Sequence, residues 1–313
     1  ILLAESPNSS PPRSQLTSAR RHRLRMPSLA AEDEEQNWTE QTNAHGANLD
    51  KSVYSITIPW QTVSSGKLTH VPYRNLAENE RVSILPHPGE KSVTVQHMFD
   101  RISGRYDRVN RLLTFNADRR WRRELVTRLD VHPGDVVLDL ACGTGDFAQE
   151  CRLRGASVVG LDFSRGMLNA ATARDLSEVT WVQGDAMELP LATGSVTVAV
   201  SGFALRNFVD IPPVFVELSR VMAPGARLGL LEVDRPRNAV VRAGHGLYFN
   251  RAVPLLGGLL SGDRDAYRYL PASAVYLPAE AELVAALVAA GFRKVRKRSP
   301  MFGAIQSIDA VRS

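Results

Sequence analysis

The spacing of apolar residues along the chain changes at about residue 93. Upstream, apolar positions are scattered among Ser, Pro and charged residues, whereas downstream they recur with the periods of regular secondary structure. Val95, Met98, Phe99 and Ile102 share one helix face, and the helical pattern continues to about residue 129. The pattern therefore predicts a helical segment ahead of the rest of the domain.

Beyond residue 135, short apolar runs rich in β-branched residues alternate with helical patterns. Strands are predicted at residues 136–139, 156–162, 179–183, 196–201, 227–233, 294–298 and 304–310, and helices at 147–153, 164–173, 213–221 and 279–290. This alternation is typical of a mostly parallel sheet that helices cover on both faces through right-handed crossovers. We therefore predict an α/β fold with seven strands.

Residues 236–275 interrupt the alternation of strands and helices. The segment is long for a connection and carries many apolar, Gly and Pro residues, which favours a lid insertion over the active site rather than a simple loop. Within it, Gly246–Phe249 and Val253–Leu260 are expected either to line a groove for an apolar substrate tail or to pack on the sheet.

Residues 1–92 differ in composition from residues 93–313, which form the predicted domain. Ser, Pro and Arg dominate the first thirty positions, and a polar, acidic stretch follows at 32–37. Such a segment buries too little apolar surface to offset its ordering entropy, so we expect a largely disordered extension. A native extension, an Arg- and Ser-rich transit peptide and translated upstream sequence remain the alternatives, since the first methionine is Met26. Residues 54–60 and 68–73 form either a short hairpin or an isolated apolar patch.

Composition narrows the class of protein only slightly. The chain has 313 residues, of which 44% are hydrophobic, and this is ample for a globular core. The net charge of +5 permits attraction to anionic surfaces but identifies no partner without a localised patch, so we expect no nucleic acid partner. Cys142 and Cys151 are too few for a disulfide framework or a Cys-based zinc site. We therefore expect a cytoplasmic protein without a metal.

The segment Asp139–Asp146 reads Asp-Leu-Ala-Cys-Gly-Thr-Gly-Asp and joins the first of these strands to a helix. Gly143 and Gly145 permit unusual φ angles and a close approach of a ligand to the backbone, while the free N–H groups of the helix attract anions. With Ala148, the loop also fits the dinucleotide fingerprint. Asp139, however, suits ammonium and sulfonium charges and opposes a pyrophosphate. The loop resembles the S-adenosylmethionine loop of class I methyltransferases, and a nicotinamide oxidoreductase is the alternative.

Two further acidic residues follow neighbouring strands. Asp162 ends the second strand, seventeen residues after Gly145, where a carboxylate can accept hydrogen bonds from both hydroxyls of a ribose. Asp185 follows the third strand and can accept from an adenine amino group. Together with Asp139 these residues predict a nucleoside site at the carboxyl ends of the strands.

Several separated motifs carry a family resemblance over roughly residues 93–313. They are Tyr106–Asn110 followed by Trp121, Gly202–Asn207, Arg220–Gly225 with Leu231 and Glu232, and Asp265–Leu270. Together they resemble the motifs of the ubiquinone/menaquinone biosynthesis C-methyltransferases. The chain departs from the usual family residues at Val109, Cys142, Ala223, Ala226, Asp234 and His245.

The resemblance implies a Rossmann-like class I methyltransferase fold and S-adenosylmethionine-dependent methylation of a ring carbon in a polyprenylated hydroquinone, most simply demethylmenaquinol. It implies that cofactor is bound by Thr144, Asp162, Asp185, Ala186 and Ser201, in a pocket shaped by Asp139, Gly143 and Gly145. The candidates for orienting the ring and stabilising phenolate charge are Tyr106, Arg206 and Asn207. His245 and Asp107 are weaker candidates for a general base.

The expected partner is a lipid-tailed quinol, with peripheral contact at the inner face of the membrane and a homodimer as further expectations. A basic run at residues 293–298 either protects an edge strand or contacts anionic lipid. A benzoquinol of the ubiquinone pathway is the alternative substrate. A non-catalytic, cofactor-binding component of a quinone-synthesis assembly is the alternative of another class.

Overall fold

The apolar runs of the sequence form the strands of one mixed sheet. The computed structural model describes residues 53–55, 85–174, 176 and 178–313. Within these residues the strands are β1 (Val53–Ser55), β2 (Val136–Leu140), β3 (Ser157–Asp162), β4 (Val179–Gln183), β5 (Val196–Gly202), β6 (Met222–Val233), β7 (Phe292–Arg298) and β8 (Ile305–Arg312). Their order in the sheet is β1-β4-β3-β2-β5-β6-β8-β7, and β8 runs antiparallel to both neighbours. The predicted seven-stranded, mostly parallel sheet is confirmed, and β1 adds a short parallel strand beside β4.

Helices connect the strands. They are α1 (Lys91–Leu113), α2 (Ala117–Arg128), α3 (Asp146–Arg152), α4 (Arg165–Thr172), α5 (Ile211–Val221), α6 (Ala239–Leu247), α7 (Val253–Ser261), α8 (Arg264–Ala272) and α9 (Glu280–Ala289). A π-helical turn, Tyr248–Ala252, joins α6 to α7, so the predicted lid segment is mainly helical. Ser164 caps α4 as its sequence position predicts, because its hydroxyl accepts from the Met167 backbone N–H at 3.1 Å.

Both faces of the sheet are buried, which explains the continuous apolar character of its parallel strands. Leu138 points into a core shared with Phe215 of α5 and Leu287 of α9, whereas its neighbour Val137 points into the opposite core with Leu125 of α2. A third apolar cluster joins α1, α7 and α8, with the fully buried Tyr267 among its members. The lid segment therefore packs on the helix that precedes the sheet.

One strand begins earlier than predicted. The strand predicted at residues 227–233 extends back to Met222, so residues 223–226 lie inside β6. Met222 pairs with Val196 and pairing resumes with Arg227 opposite Val198, so the intervening residues bulge from the ladder. Of the N-terminal expectations, only β1 can be described; the rest of the predicted extension and hairpin up to residue 84 lies outside the described residues.

Among the described helices, length and apolar character decide whether a membrane span is possible. Taken singly, none of them has the length and apolar character that a membrane span requires. The bent pair Arg264–Tyr276 and Glu280–Ala289, which turns by 72°, meets these criteria by length and composition only.

Helix α7 packs tightly on α8 because it presents a glycine there. A Cβ atom added at Gly257 would lie 2.2 Å from Cδ1 of Tyr267. We expect Gly257→Ala to lower the free energy of unfolding by about 1–3 kcal/mol, since one of the two helices must move. Urea unfolding measures the change.

Gly244 provides the matched control within the same lid segment. It lies inside α6, and an added Cβ would meet no atom within 4 Å. Gly244→Ala should therefore be neutral or stabilise the protein by about 0.5–1 kcal/mol. Equal effects of the two substitutions would contradict the packing described for Gly257.

Candidate active site

A cavity opens at the carboxyl ends of the central parallel strands, where ligands bind in open α/β sheets. It encloses about 880 Å³ of space including its mouth. It gathers six of the residues predicted for the site: Tyr106, Gly143, Asp162, Asp185, Ala186 and Asn207. The other five, Asp139, Thr144, Gly145, Ser201 and Arg206, do not line it. We call this space the cofactor cavity.

The glycine loop has the backbone that its sequence predicts. Gly143 and Gly145 have φ angles of 56° and 84°, in the left-handed region. A Cβ added at Gly145 would lie 2.5 Å from the Trp181 ring, whereas one at Gly143 would meet no atom within 4 Å. Gly145 is therefore required for packing, and Gly143 keeps the wall of the cofactor cavity open to a ligand.

Asp162 is fixed at the tip of β3 by two backbone donors. Its Oδ2 accepts from the Gly143 N–H at 2.7 Å and its Oδ1 from the Ser164 N–H at 2.8 Å. Each carboxylate oxygen has a second lone pair, so both oxygens can also accept a hydrogen bond from a hydroxyl of a ligand in the cavity. Burial raises the pKa of this carboxyl to about 6, which leaves it largely ionised at neutral pH.

Asp185 lies on the same wall, in the turn after β4. Its Oδ1 accepts from the Met187 N–H at 2.9 Å, and this contact fixes the side chain beside Ala186. Oδ2 has no protein donor within the described part of the chain and is available to an amino group of a ligand. The pair formed by Asp162 and Asp185 thus matches the two ends of a nucleoside.

Asp139 acts one layer behind the cavity wall. Its carboxylate is only 1% exposed and accepts from the Ala148 N–H at 2.9 Å, which fastens the first turn of α3 to the end of β2. Burial raises the pKa of this carboxyl to about 8. Asp139 therefore joins β2 to α3 and does not line the cofactor cavity, and its predicted role in shaping the pocket stays a prediction.

The hydroxyls of Thr144 and Ser201 have protein partners. Thr144 donates to Oδ1 of Asp107 on α1 at 2.5 Å, and Ser201 donates to the Leu140 carbonyl at 2.8 Å. Both side chains are buried beside the cofactor cavity rather than in its lining. Their predicted contacts with cofactor stay predictions.

An ion-pair network locks the loop to the surrounding helices. Asp146, the first residue of α3, lies 3.0 Å from Arg111 of α1 and 2.9 Å from Arg174, with Arg122 of α2 at 3.6 Å. Although burial opposes its ionisation, these three guanidinium groups lower the pKa of the Asp146 carboxyl. Arg174 also donates to the Thr144 carbonyl at 2.7 Å. These arginines therefore hold the glycine loop in place.

Two of the three catalytic candidates line the cavity. Burial raises the pKa of the Tyr106 phenol, so its hydroxyl is a neutral donor. The Asn207 amide is oriented by Phe203, whose carbonyl accepts at 3.4 Å, and by the Tyr269 hydroxyl, 3.4 Å from its Oδ1. Arg206 is turned away from the lining and forms a buried ion pair with Glu232. Its role at the ring stays a prediction.

The structure adds site residues that sequence reasoning did not select. Gln96 and Asp100 of α1 reach the far wall: Gln96 donates to the Phe163 carbonyl at 2.9 Å, and Asp100 accepts from the Ser164 hydroxyl at 2.6 Å. Their spacing of four residues, on the side of α1 next to the predicted apolar face, was the available signal. Phe203 lines the cavity with a φ of 60°, a backbone strain typical of functional sites and not readable from sequence.

The two candidates for a general base lie outside the lining. His245 of the lid segment stacks on Phe249 at 4.8 Å, and burial lowers the pKa of its imidazole. Asp107 accepts from Thr144 and lies 3.6 Å from Arg111. In this geometry neither carboxylate nor imidazole faces the cofactor cavity.

Comparison with known proteins decides which chemistry this geometry serves. A family model described as the ubiE/COQ5 methyltransferase family matches residues 88–312. The chain belongs to this family. It is therefore a methyltransferase with S-adenosylmethionine as its cofactor, and the resemblance inferred from the separated motifs is confirmed.

Individual relatives cover most of the domain. A demethylmenaquinone methyltransferase of Thermus thermophilus is 44% identical over 66% of this chain and 96% of its own length. The ubiquinone/menaquinone biosynthesis C-methyltransferase UbiE of Syntrophotalea carbinolica is 39% identical over 69% and 93%. Among solved structures, a putative methyltransferase bound to the Trm112 activator of Haloferax volcanii superposes with a TM-score of 0.50 at 20% identity, over 68% of this chain and 96% of that one. The similarity to this solved structure shows the fold alone.

The cavity of this ubiE/COQ5 family member fits its cofactor. Asp162 offers two acceptor oxygens to a ribose, Asp185 offers one to an adenine amino group, and Gly143 leaves the intervening wall free of a side chain. Carboxylates rather than phosphate-binding cations mark the site, as a cationic nucleoside without a pyrophosphate requires.

Proposed function

We propose that the protein transfers the methyl group of S-adenosylmethionine to a ring carbon of demethylmenaquinol and so forms menaquinol. The relatives named demethylmenaquinone methyltransferase support this substrate. The observation that carries the proposal is the mixed lining of the cofactor cavity. Asp162 and Asp185 supply acceptors for a nucleoside, and Phe99, Phe203 and Phe208 supply aromatic surface for a flat, apolar ring.

Bound S-adenosylmethionine supplies an electrophilic methyl group on a positively charged sulfur. The protein's main contribution is to hold the ring carbon in line with that methyl group, and such positioning is worth roughly 7–11 kcal/mol of the barrier. Phe99 lies edge-on to Tyr106 with ring centroids 5.9 Å apart, which fixes the phenol at the cavity wall. The apolar lining also excludes water from the reacting atoms.

For the ring carbon to become nucleophilic, the neighbouring ring hydroxyl would give its proton to solvent, so that negative charge develops on its oxygen. After the methyl transfer the same ring carbon would release its own hydrogen as a proton, and S-adenosylhomocysteine would be the second product. We assign Tyr106 and Asn207 to this oxygen as neutral hydrogen-bond donors, because both line the cavity beside the exit of β5. Donors placed where charge develops lower the barrier electrostatically. Arg206 contributes from behind the lining through its positive charge, since its guanidinium is committed to Glu232.

The lipid tail of the proposed quinol sets the place of the reaction. A polyprenyl chain stays in the bilayer, so we propose a cytoplasmic protein that works peripherally at the inner face of the membrane. Homodimer formation stays a prediction, and light scattering of the purified full chain measures it.

Incubation with methyl-labelled S-adenosylmethionine and a panel of quinols tests the function. We expect demethylmenaquinol to give labelled menaquinol, and a matched benzoquinol to give no labelled product. Tyr106→Phe should lower kcat by about tenfold or more, because one hydrogen bond to a charged oxygen is lost. Cofactor affinity should be unchanged. Tyr276→Phe is the control, because its hydroxyl contacts the Pro86 carbonyl at 3.4 Å, outside the cavity.

If the label enters the benzoquinol and not the naphthoquinol, the proposed substrate is wrong and a benzoquinol takes its place. Labelling of neither ring, with intact cofactor binding, would favour a non-catalytic component of a quinone-synthesis assembly. A Tyr106→Phe variant with the kcat of wild type would remove this phenol from the mechanism.

A further inference from the structure

Helix α7 has its apolar face outside and its small residues inside. Leu255, Leu256, Leu259 and Leu260 occupy one side of the helix, and their side chains are 40–76% exposed. We call these four residues the leucine face. The opposite side, formed by Val253, Gly257, Gly258 and Ser261, is buried. A helix on the surface of a globular protein normally shows the reverse arrangement.

The inverted arrangement is built into the packing of α7. A Cβ added at Gly258 would lie 2.7 Å from Cγ of Arg264, and Gly257 approaches Tyr267 even more closely. Leucine side chains could not occupy this buried side without separating α7 from α8. The structure therefore commits the leucine face to the surface, among the residues it describes.

A further exposed leucine precedes the leucine face in the chain. Leu247, at the end of α6, is 67% exposed, and α7 carries no charged residue along its length. Soluble monomers rarely expose contiguous apolar surface of this kind, and where they do it marks an interaction site.

Arginine residues lie at both ends of α7. Arg105 of α1 donates to the Ser261 carbonyl at 2.6 Å, and Arg101 pairs with Asp263 at 2.9 Å, so both lie at the end of α7. Arg251 precedes the helix and Arg264 packs against Gly258, each exposed. Leucines framed by arginines match an anionic lipid surface, in which the apolar side chains enter the acyl region and the cations meet the headgroups.

We infer that the leucine face and its flanking arginines dock the protein on a bilayer that contains anionic lipid. The inference deepens the proposed function and rests on it in one respect, since a polyprenylated quinol must be taken from a bilayer. It differs from the expectation drawn from the basic run at residues 293–298, which belongs to β7. The exposed leucines favour a bilayer over a nucleic acid, which offers no apolar phase for four adjacent leucines. The arginines at the ends of α7 favour an anionic lipid surface over an apolar protein groove.

Sedimentation of the full chain with phosphatidylglycerol-containing vesicles tests the leucine face. We expect wild type to bind, and Leu255→Glu with Leu259→Glu to lose at least about tenfold in vesicle affinity. Val216→Glu with Val288→Glu is the matched control, because these residues are 57% and 56% exposed on α5 and α9. The control should bind as wild type does.

A second pair of variants tests the charges. Arg251→Gln with Arg264→Gln should lose about fivefold per arginine on anionic vesicles. Arg293→Gln with Lys294→Gln, in the exposed basic run of β7, should bind as wild type does. A loss confined to the β7 variant would transfer the docking surface to that run and overturn the inference.

Activity separates this inference from the proposed function. The leucine variant should methylate a short-chain, water-soluble demethylnaphthoquinol at the wild-type rate and fail only with long-tailed quinol in vesicles. Wild type that methylates both quinols and does not sediment would overturn the docking inference and leave the proposed function intact. Light scattering provides the last outcome: a wild-type dimer that the leucine substitutions dissociate, without vesicle binding, would assign the leucine face to a second copy of the chain.

Discussion

Asp162→Ala is expected to lower the affinity for S-adenosylmethionine at least about a hundredfold. The carboxylate holds one free lone pair on each oxygen towards the cofactor cavity, and two hydrogen bonds from ribose to a charged acceptor are worth about 3 kcal/mol or more. Isothermal titration calorimetry measures the loss. Asp130→Asn, an exposed carboxylate with a φ of 53° that Asn tolerates, is the control. Near-normal affinity of the Asp162 variant would refute the assignment of the nucleoside site.

The pH dependence of binding follows from the same carboxyl. Burial raises its pKa to about 6, so it is protonated at pH 5 and ionised at pH 7. Because ribose hydroxyls donate better to the ionised form, wild-type affinity should fall as the pH drops through 6. Asp162→Asn should remove this dependence.

Glu232→Leu is expected to reduce the free energy of unfolding by about 3–5 kcal/mol. Glu232 is 1% exposed and pairs with Arg206, which is 5% exposed and whose Nε has no acceptor among the described residues. Removing the carboxylate leaves a buried cation without compensation. Urea unfolding followed by circular dichroism measures the change.

A double variant distinguishes a buried ion pair from ordinary packing. Arg206→Met combined with Glu232→Leu removes both charges, and it should recover most of the stability lost by Glu232→Leu alone. Glu124→Leu breaks the exposed pair with Arg120, where the two side chains are 47% and 80% exposed, and should cost no more than about 1 kcal/mol. A double variant as unstable as the single one would show that the charge is not the cause.

The regular part of the fold was predictable because local pattern and global environment agree. The sequence predicts the strand at 179–183 with its observed bounds, since Val179, Thr180 and Val182 are β-branched and Trp181 is aromatic, as is typical of strands. The bulge in β6 was not predictable. Its Pro224-Gly225 pair is typical of a turn, and only the pairing with β5 keeps these residues in the strand.

The candidate site also has residues whose placement was predictable from sequence and residues whose contacts were not. Asp162 and Asp185 were predictable because each follows a strand, and the carboxyl ends of parallel strands meet at one edge of the sheet. The contacts of Thr144 and Arg206 were not. Their partners, Asp107 and Glu232, are 37 and 26 residues away in the chain, and no local pattern reports which polar group a side chain meets across such a distance.

Helix α1 belongs to the cofactor cavity and to the surface at once. Val95 and Phe99 line the cavity from one side of the helix, while Arg101 and Arg105 hold the end of α7 from another. Because one helix carries both sets of contacts, a substitution that shifts the axis of α1 would alter the cavity wall and the end of α7 together.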